Sequence, residues 1–141
     1  MRRVLAAAAL ALAGASVASA AVVPGLRTPT RNIHCVVAER TDPRNRGGLW
    51  CQIDRASYRA RLQATCGGID WRGWVLSGND AGQVNCSGGA EWFGTPRYVT
   101  LAYGRAWRRD GYTCRSARTG LTCTNRRGHG VFISRESWRA W

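Results

Sequence analysis

The sequence predicts a small, mainly β domain of antiparallel hairpins stapled by disulfides, with at most one short helix. Two observations support this prediction. The first is an even set of six cysteines in a short chain that begins like an exported protein, a combination typical of a disulfide framework. The second is a series of short segments rich in β-branched and aromatic residues, which glycine and asparagine interrupt.

The first twenty residues have the pattern of a cleavable export signal. Residues 1–3 are positively charged, residues 4–17 are uncharged and rich in Ala and Leu, and Ala18-Ser19-Ala20 has the small side chains of a signal-peptidase site. A membrane anchor is the alternative, but Ala, Gly and Ser make the run only weakly apolar. We therefore expect cleavage near Ala20, by either the Sec or the twin-arginine route. The product would have no transmembrane anchor and would be secreted or periplasmic, either released or retained in the cell envelope.

The rest of the chain has the length of one domain. Residues 21–31 contain two prolines and a glycine and are predicted to be an extended lead-in. Residues 32–141 are predicted to be a single disulfide-rich β domain. One helix is expected over residues 54–65, with Asp54 as its N-cap, and Ser134 is expected to cap a short C-terminal turn that ends at Trp138 and Trp141. The predicted strands are 33–37, 49–53, 74–77, 83–86, 98–103, 112–116, 121–124 and 131–134.

The cysteines are expected to form structural disulfides, because no Cys-x-x-Cys pair of the kind used by zinc or redox sites is present. We expect neither metal nor cofactor. A loop at residues 117–120 would place Cys114 opposite Cys123, within disulfide range. The repeated Gly-Leu-x-Cys pattern at 48–51 and 120–123 then suggests Cys35 with Cys51, which leaves Cys66 with Cys86. Six cysteines allow fifteen pairings, so this nearest-neighbour pattern is a hypothesis.

The chain is strongly basic, with 21 arginines, no lysine and 8 acidic residues, for a formal net charge of +13. Scattered arginines have two interpretations. They follow from codon usage in a G+C-rich genome and form a solvated surface, or they serve to attract anions, which is the functional interpretation. The candidate binding patch combines arginines with one tryptophan: Arg105, Trp107, Arg108, Arg109, Arg126 and Arg127.

Most of the seven tryptophans are expected in the core because aliphatic residues are few. Trp50 and Trp74 are the strongest core candidates, whereas Trp92, Trp107 and Trp141 are less constrained.

An enzymatic role would depend on His129, which two glycines flank near Arg126 and Arg127. Together with a carboxylate such as Glu91, it could serve acid–base chemistry in a small basic nuclease. Glycines around a turn residue more often serve backbone geometry. The other histidine, His34, is expected on the surface, on the strand face opposite Cys35.

We therefore predict a non-enzymatic binding or envelope-associated protein. Its partner would be an anionic polymer (a wall polymer, polysaccharide or nucleic acid) or another secreted protein. A nuclease-like hydrolase and a protein inhibitor of a secreted enzyme are the alternatives, and the sequence leaves the oligomeric state open.

Several segments match a common pattern over residues 28–141. They are Thr28-Pro29-x-x-Asn32-Ile33-x-Cys35, Cys51-x-Ile53, Asp70-Trp71, Leu101-x-Tyr103-Gly104, Cys114-x-Ser116, Gly120-x-Thr122-Cys123-x-Asn125, Gly128-His129-Gly130 and Ser134-Arg135-Glu136-Ser137. In these the chain resembles an uncharacterised family of small secreted bacterial domains of unknown function. The resemblance implies a secreted, disulfide-bonded, β-rich domain and no established activity, cofactor or catalytic residue. Arg31 stands where the family pattern usually has glycine, which bears on the turn before the first strand.

Overall fold

The computed structural model describes residues 21–38, 47–88 and 94–141. These residues form eleven strands and one short helix, which confirms the predicted mainly β class. The elements are β1 Val22–Arg27, β2 Ile33–Ala38, β3 Gly48–Ile53, α1 Arg59–Thr65, β4 Trp71–Ser77, β5 Gln83–Cys86, β6 Thr95–Thr100, β7 Ala106–Arg109, β8 Tyr112–Ala117, β9 Gly120–Thr124, β10 Gly130–Ile133 and β11 Trp138–Ala140.

The strands form two sheets that enclose one core. Sheet A has the order β5-β4-β3-β2-β1-β6, and sheet B has the order β11-β10-β9-β8-β7. Neighbouring strands are antiparallel except β1 and β6, which pair in parallel. Among the described residues, no helix has the length and apolar character needed to cross a membrane.

Two disulfides join directly opposed cysteines of adjacent strands and meet in the core. Cys35 bonds to Cys51 between β2 and β3, and Cys114 bonds to Cys123 between β8 and β9. The Sγ atoms of Cys35, Cys51 and Cys123 lie within 4.8 Å of one another, so the two bridges touch across the interface between the sheets. The third disulfide, Cys66–Cys86, ties the end of α1 to β5.

The predicted lead-in is in fact partly a strand inside sheet A. β1 lies between β2 and β6, and Leu26 is fully buried. Proline and glycine locally suggest a loop, but Gly25 is needed here because a Cβ would lie 2.7 Å from the carbonyl oxygen of Cys35 and 2.9 Å from the Tyr98 ring. The pairing with β6 joins residues more than seventy positions apart, and no local pattern predicts it.

The helix is shorter than predicted and Asp54 does not cap it. α1 begins at Arg59 after Tyr58, with no side-chain cap. Asp54 instead follows directly after β3, where its N–H donates to the Asn32 carbonyl at 2.9 Å. This long-range bond holds residue 54 against the start of β2 and delays the helix by five residues.

Three further differences follow from strand geometry. The strand predicted at 98–103 is β6, which ends at residue 100 before a turn through Gly104. β7 and β11 are absent from the predicted strands, because their arginines and tryptophans obscure the alternation of polar and apolar residues that marks a strand. Trp50, predicted as a core residue, lies on the outer face of sheet A, because its neighbour Cys51 faces the core and successive side chains of a strand alternate. Trp71 and Trp74 are buried as core residues, with ring centroids 5.1 Å apart.

Candidate functional site

A groove of about 560 Å³ lies where turns from the two sheets meet. One wall is formed by the turn before β2 and the residues after β3, and the other by the β8–β9 and β10–β11 turns. Four arginines line it, against two acidic residues: Arg31, Arg55, Arg118 and Arg135, with Asp54 and Glu136. We call this feature the arginine groove.

The turn before β2 presents Arg31 to the groove. The Arg31 N–H donates to the Thr28 carbonyl, and the Thr28 N–H donates to the Ile33 carbonyl, each at 2.9 Å. The buried Thr28 hydroxyl accepts a further bond from the Ile33 N–H at 3.2 Å. Arg31 closes this turn with a φ of 59°, a left-handed conformation that glycine adopts more readily. The turn therefore forms although arginine occupies the position.

Asn32 connects this turn to Arg55. Its carboxamide bonds to both the N–H and the carbonyl of Arg55, at 2.9 and 3.0 Å. The backbone of two groove arginines, Arg31 and Arg55, is thus held by adjacent hydrogen bonds.

The opposite wall is fixed by the segment before α1. The Ser57 N–H donates to the Arg135 carbonyl at 2.9 Å, and the Tyr58 hydroxyl donates to the Ser134 carbonyl at 2.7 Å. Burial, with a smaller effect of the Glu136 charge, raises the pKa of Tyr58 above its ordinary value, so this phenol remains a donor. Ser134 does cap a turn, because its Oγ accepts from the Ser137 N–H at 3.0 Å, but the turn does not extend to Trp138 and Trp141 as predicted. That turn leads into strand β11.

The guanidinium groups of the groove differ in their partners. Arg118 lies 5.1 Å from the centroid of the Tyr103 ring, and Arg135 is 4.0 Å from Glu136 in an exposed ion pair of little energetic weight. Within the described residues, the Arg31 and Arg55 guanidinium groups have no hydrogen-bond or ion-pair partner. The groove thus offers two unneutralised, planar donor groups on a fixed backbone, which is the chemistry of carboxylate and phosphate recognition.

The structure divides the arginine patch predicted from sequence. The Arg126 side chain packs against Gly111 in the β7–β8 turn. Next to this glycine, Arg109 Nε forms an ion pair with Asp110 Oδ2 at 3.4 Å. Arg108 points to the outer face of sheet B, the opposite face from Trp107, which is half-buried against the core. Of the remaining two predicted residues, Arg105 directly precedes β7 and Arg127 follows Arg126 in the β9–β10 turn.

His129 is half-buried, and its N–H donates to Asn125 Oδ1 at 3.1 Å. Its ring has no hydrogen-bond or ion-pair partner among the described residues, and Glu91, its suggested partner, lies outside them. His34 is more enclosed than the predicted surface position. Its ring nitrogens lie 3.1 Å from Gln52 Oε1 and 3.9 Å from Asp54 Oδ1.

Sequence reasoning missed the groove arginines because they lie far apart in the chain. A usable signal was nevertheless present, since four of the segments that support the family resemblance contribute to this groove, through Thr28–Ile33, Tyr103, Gly120 and Ser134–Glu136.

Comparisons with known proteins give one match. No curated protein and no solved structure matches the chain. A comparison with protein families matches residues 4–139, nearly the whole sequence, and the chain therefore belongs to the family of unknown function DUF6636.

Proposed function

We propose that this protein is an exported, non-enzymatic binding domain that holds an acidic ligand in the arginine groove. The observation that supports the proposal is the pair Arg31 and Arg55. Both line the groove, neither guanidinium is neutralised within the described residues, and Asn32 fixes the backbone of both segments.

The dimensions and lining of the groove suggest the class of ligand. Its volume of about 560 Å³ falls within the range of small-ligand sites, roughly 300–1,000 Å³. Arginine, threonine, asparagine and serine make up most of the lining, so a hydrophobic ligand would gain little contact. A ligand with carboxylate or phosphate groups would form charge-assisted bonds to the guanidinium groups.

Binding rather than catalysis is favoured because the hydroxyls beside the arginines have structural roles. Thr28 closes the turn before β2, and Ser134 closes the turn before β11. Export is supported by the signal-like residues 1–20 and by disulfides, which persist in oxidising compartments.

The test uses the oxidised chain from Ala21 to Trp141 and a series of small ligands: digalacturonate, inorganic phosphate and the neutral disaccharide cellobiose. Isothermal titration or NMR titration at about 150 mM salt suppresses long-range charge attraction, because the Debye length is then about 8 Å. R31Q and R55Q should each weaken binding of the acidic ligand about tenfold, the effect of one charge-assisted hydrogen bond.

R61Q is the matched control, since Arg61 lies exposed on α1 and its replacement removes the same charge. Equal losses in R31Q, R55Q and R61Q, or binding of cellobiose as tight as that of digalacturonate, would refute a specific groove.

A further inference from the structure

We propose that the acidic ligand is a polysaccharide chain that runs from the arginine groove across the outer face of sheet B. This inference rests on the proposed function of the groove and extends it from a single acidic group to a polymer.

The outer face of sheet B is defined by strand register. Two rows of side chains cross it, one from Arg108 through Thr113, Thr124 and Gly130 to Trp141, the other from Ala106 through Arg115, Thr122 and Phe132 to Arg139. Three arginines are exposed on this face, and none of its strand positions is acidic. Charge complementarity therefore favours a polyanion.

The face and the groove are continuous at Gly120. This glycine lines the groove, and a Cβ at its position would lie 2.8 Å from the Phe132 ring, so the ring packs directly above it. Ala117 pairs with Gly120, also lines the groove and lies two residues from Arg115 on β8. A chain that leaves the groove here therefore passes Arg115 and then follows the row over Thr122 and Phe132 to Arg139.

The Trp141 environment favours a polysaccharide over single-stranded nucleic acid. The Trp141 ring is already engaged within the chain, since its Nε1 donates to the Gly128 carbonyl at 2.9 Å, its Cζ2 lies against Gly130 and the Arg139 guanidinium lies 4.8 Å from its centroid. Base stacking needs a free aromatic face. Threonine hydroxyls and arginines instead suit a ligand with hydroxyl and carboxylate groups along its length.

The distance across the face sets the length of the ligand. Arg115 on β8 and Arg139 on β11 are three strand spacings apart, about 14 Å. A ligand that contacts the groove and both arginines must span that distance, which a chain of many sugar residues does and a disaccharide held in the groove does not.

The test compares digalacturonate with decagalacturonate on the oxidised protein at about 150 mM salt. We expect the decasaccharide to bind about tenfold or more tightly than the disaccharide, as an extended ligand engages a second set of contacts. R115Q/R139Q should abolish this gain and leave the affinity for the disaccharide unchanged. R61Q/R97Q removes the same charge from exposed positions of α1 and β6 and should leave both affinities unchanged. Circular dichroism checks the fold of each variant.

The outcomes separate the two proposals. Absence of any length effect in the wild-type protein, or a length effect that R115Q/R139Q retains, overturns the polymer path. The polymer path is also overturned if a single-stranded DNA of equal charge binds more tightly than decagalacturonate and R115Q/R139Q loses that binding. This result would assign the face to nucleic acid. If R31Q and R55Q leave the affinity for the disaccharide unchanged, the groove proposal fails whatever the length comparison gives.

Discussion

Asn32 and Arg55 are joined by a pair of hydrogen bonds that uses the whole Asn32 carboxamide. Asn32 Oδ1 accepts from the Arg55 N–H at 2.9 Å, and Asn32 Nδ2 donates to the Arg55 carbonyl at 3.0 Å. The two residues are 23 positions apart, and the bonds bring the turn before β2 against the end of β3. Because the backbone at Arg31 and Arg55 is ordered before any ligand arrives, binding there loses less conformational entropy.

Replacement of Asn32 should therefore reduce both stability and affinity. N32A removes two partly exposed hydrogen bonds and should lower the free energy of unfolding by about 1–2 kcal/mol. It should also weaken binding of digalacturonate, although no charge is changed. Urea unfolding and ligand titration measure the two effects. N79A, at an exposed position in the β4–β5 connection, is the control for loss of an asparagine, and an N32A variant as stable and as tightly binding as N79A would contradict this role.

Arg31 combines a strained backbone with a position in the groove, so stability and binding should respond in opposite directions to its replacement. The left-handed φ of 59° costs a non-glycine residue about 1 kcal/mol. R31G should raise the free energy of unfolding by about that amount and weaken binding of acidic ligands about tenfold.

D110G is the matched comparison for the R31G prediction. Asp110 also has a positive φ, of 49°, but lies with Gly111 in a two-residue hairpin turn that tolerates aspartate well. D110G should therefore change stability less than R31G and leave binding unaffected. A destabilised R31G protein, or one with unchanged affinity, would show that Arg31 is an ordinary turn residue.

The local parts of the fold could be predicted from the sequence. The β8–β9 hairpin has the predicted register, with Ser116 opposite Leu121, because a tight turn leaves little freedom of alignment. β1 could not be placed in the same way. Its Pro24 and Gly25 resemble a loop locally, and its strand character depends on β6, which lies far along the chain.

The groove was harder to predict for the same reason. Each of its arginines is by itself an unremarkable basic residue in a turn. Long-range contacts, among them those of Asn32 with Arg55 and of Ser57 with Arg135, bring the turns together, and these two join residues 23 and 78 positions apart. The predicted patch illustrates the opposite difficulty. Trp107 and Arg108 are adjacent in sequence, but neighbours on a strand face opposite sides of the sheet.

The three disulfides should differ in their effect on stability. Cys114–Cys123 closes a separation of 9 residues and Cys66–Cys86 one of 20. The chain-entropy model therefore predicts that Cys66–Cys86 stabilises the folded protein by about 0.7 kcal/mol more than Cys114–Cys123. Burial predicts the opposite order, because Cys114 and Cys123 are fully buried whereas Cys86 is exposed, so that removal of Cys114–Cys123 leaves more empty space in the core. Voids left by two buried sulfurs cost more than 0.7 kcal/mol, so C114A/C123A should destabilise the protein more than C66A/C86A.

Guanidinium unfolding without reductant measures this difference. The reverse order would show that the entropy of the unfolded chain dominates. Peptide mapping of the unreduced protein tests the pairing itself, and a crossed link between any two pairs would contradict it.

Tyr58 should make the protein sensitive to alkaline pH. Burial, together with the nearby Glu136 charge, raises its pKa, and burial likewise raises the pKa values of Tyr98 and Tyr112. Above about pH 10 the unfolded chain releases tyrosine protons that the folded protein retains, so stability is complete below that pH and falls as pH rises. Each such tyrosine contributes a slope of up to about 1.4 kcal/mol per pH unit.

Y58F should be less stable than the wild type at neutral pH, by about 1 kcal/mol, because the hydrogen bond to the Ser134 carbonyl is lost. Its stability should then fall less steeply between about pH 10 and 11, since one titrating group is absent while Tyr98 and Tyr112 remain. Urea unfolding at a series of pH values compares the two slopes directly. Parallel slopes for Y58F and the wild type would mean that Tyr58 ionises as readily in the folded protein as in the unfolded chain. In that case its bond to Ser134 would not protect the wall of the arginine groove at high pH.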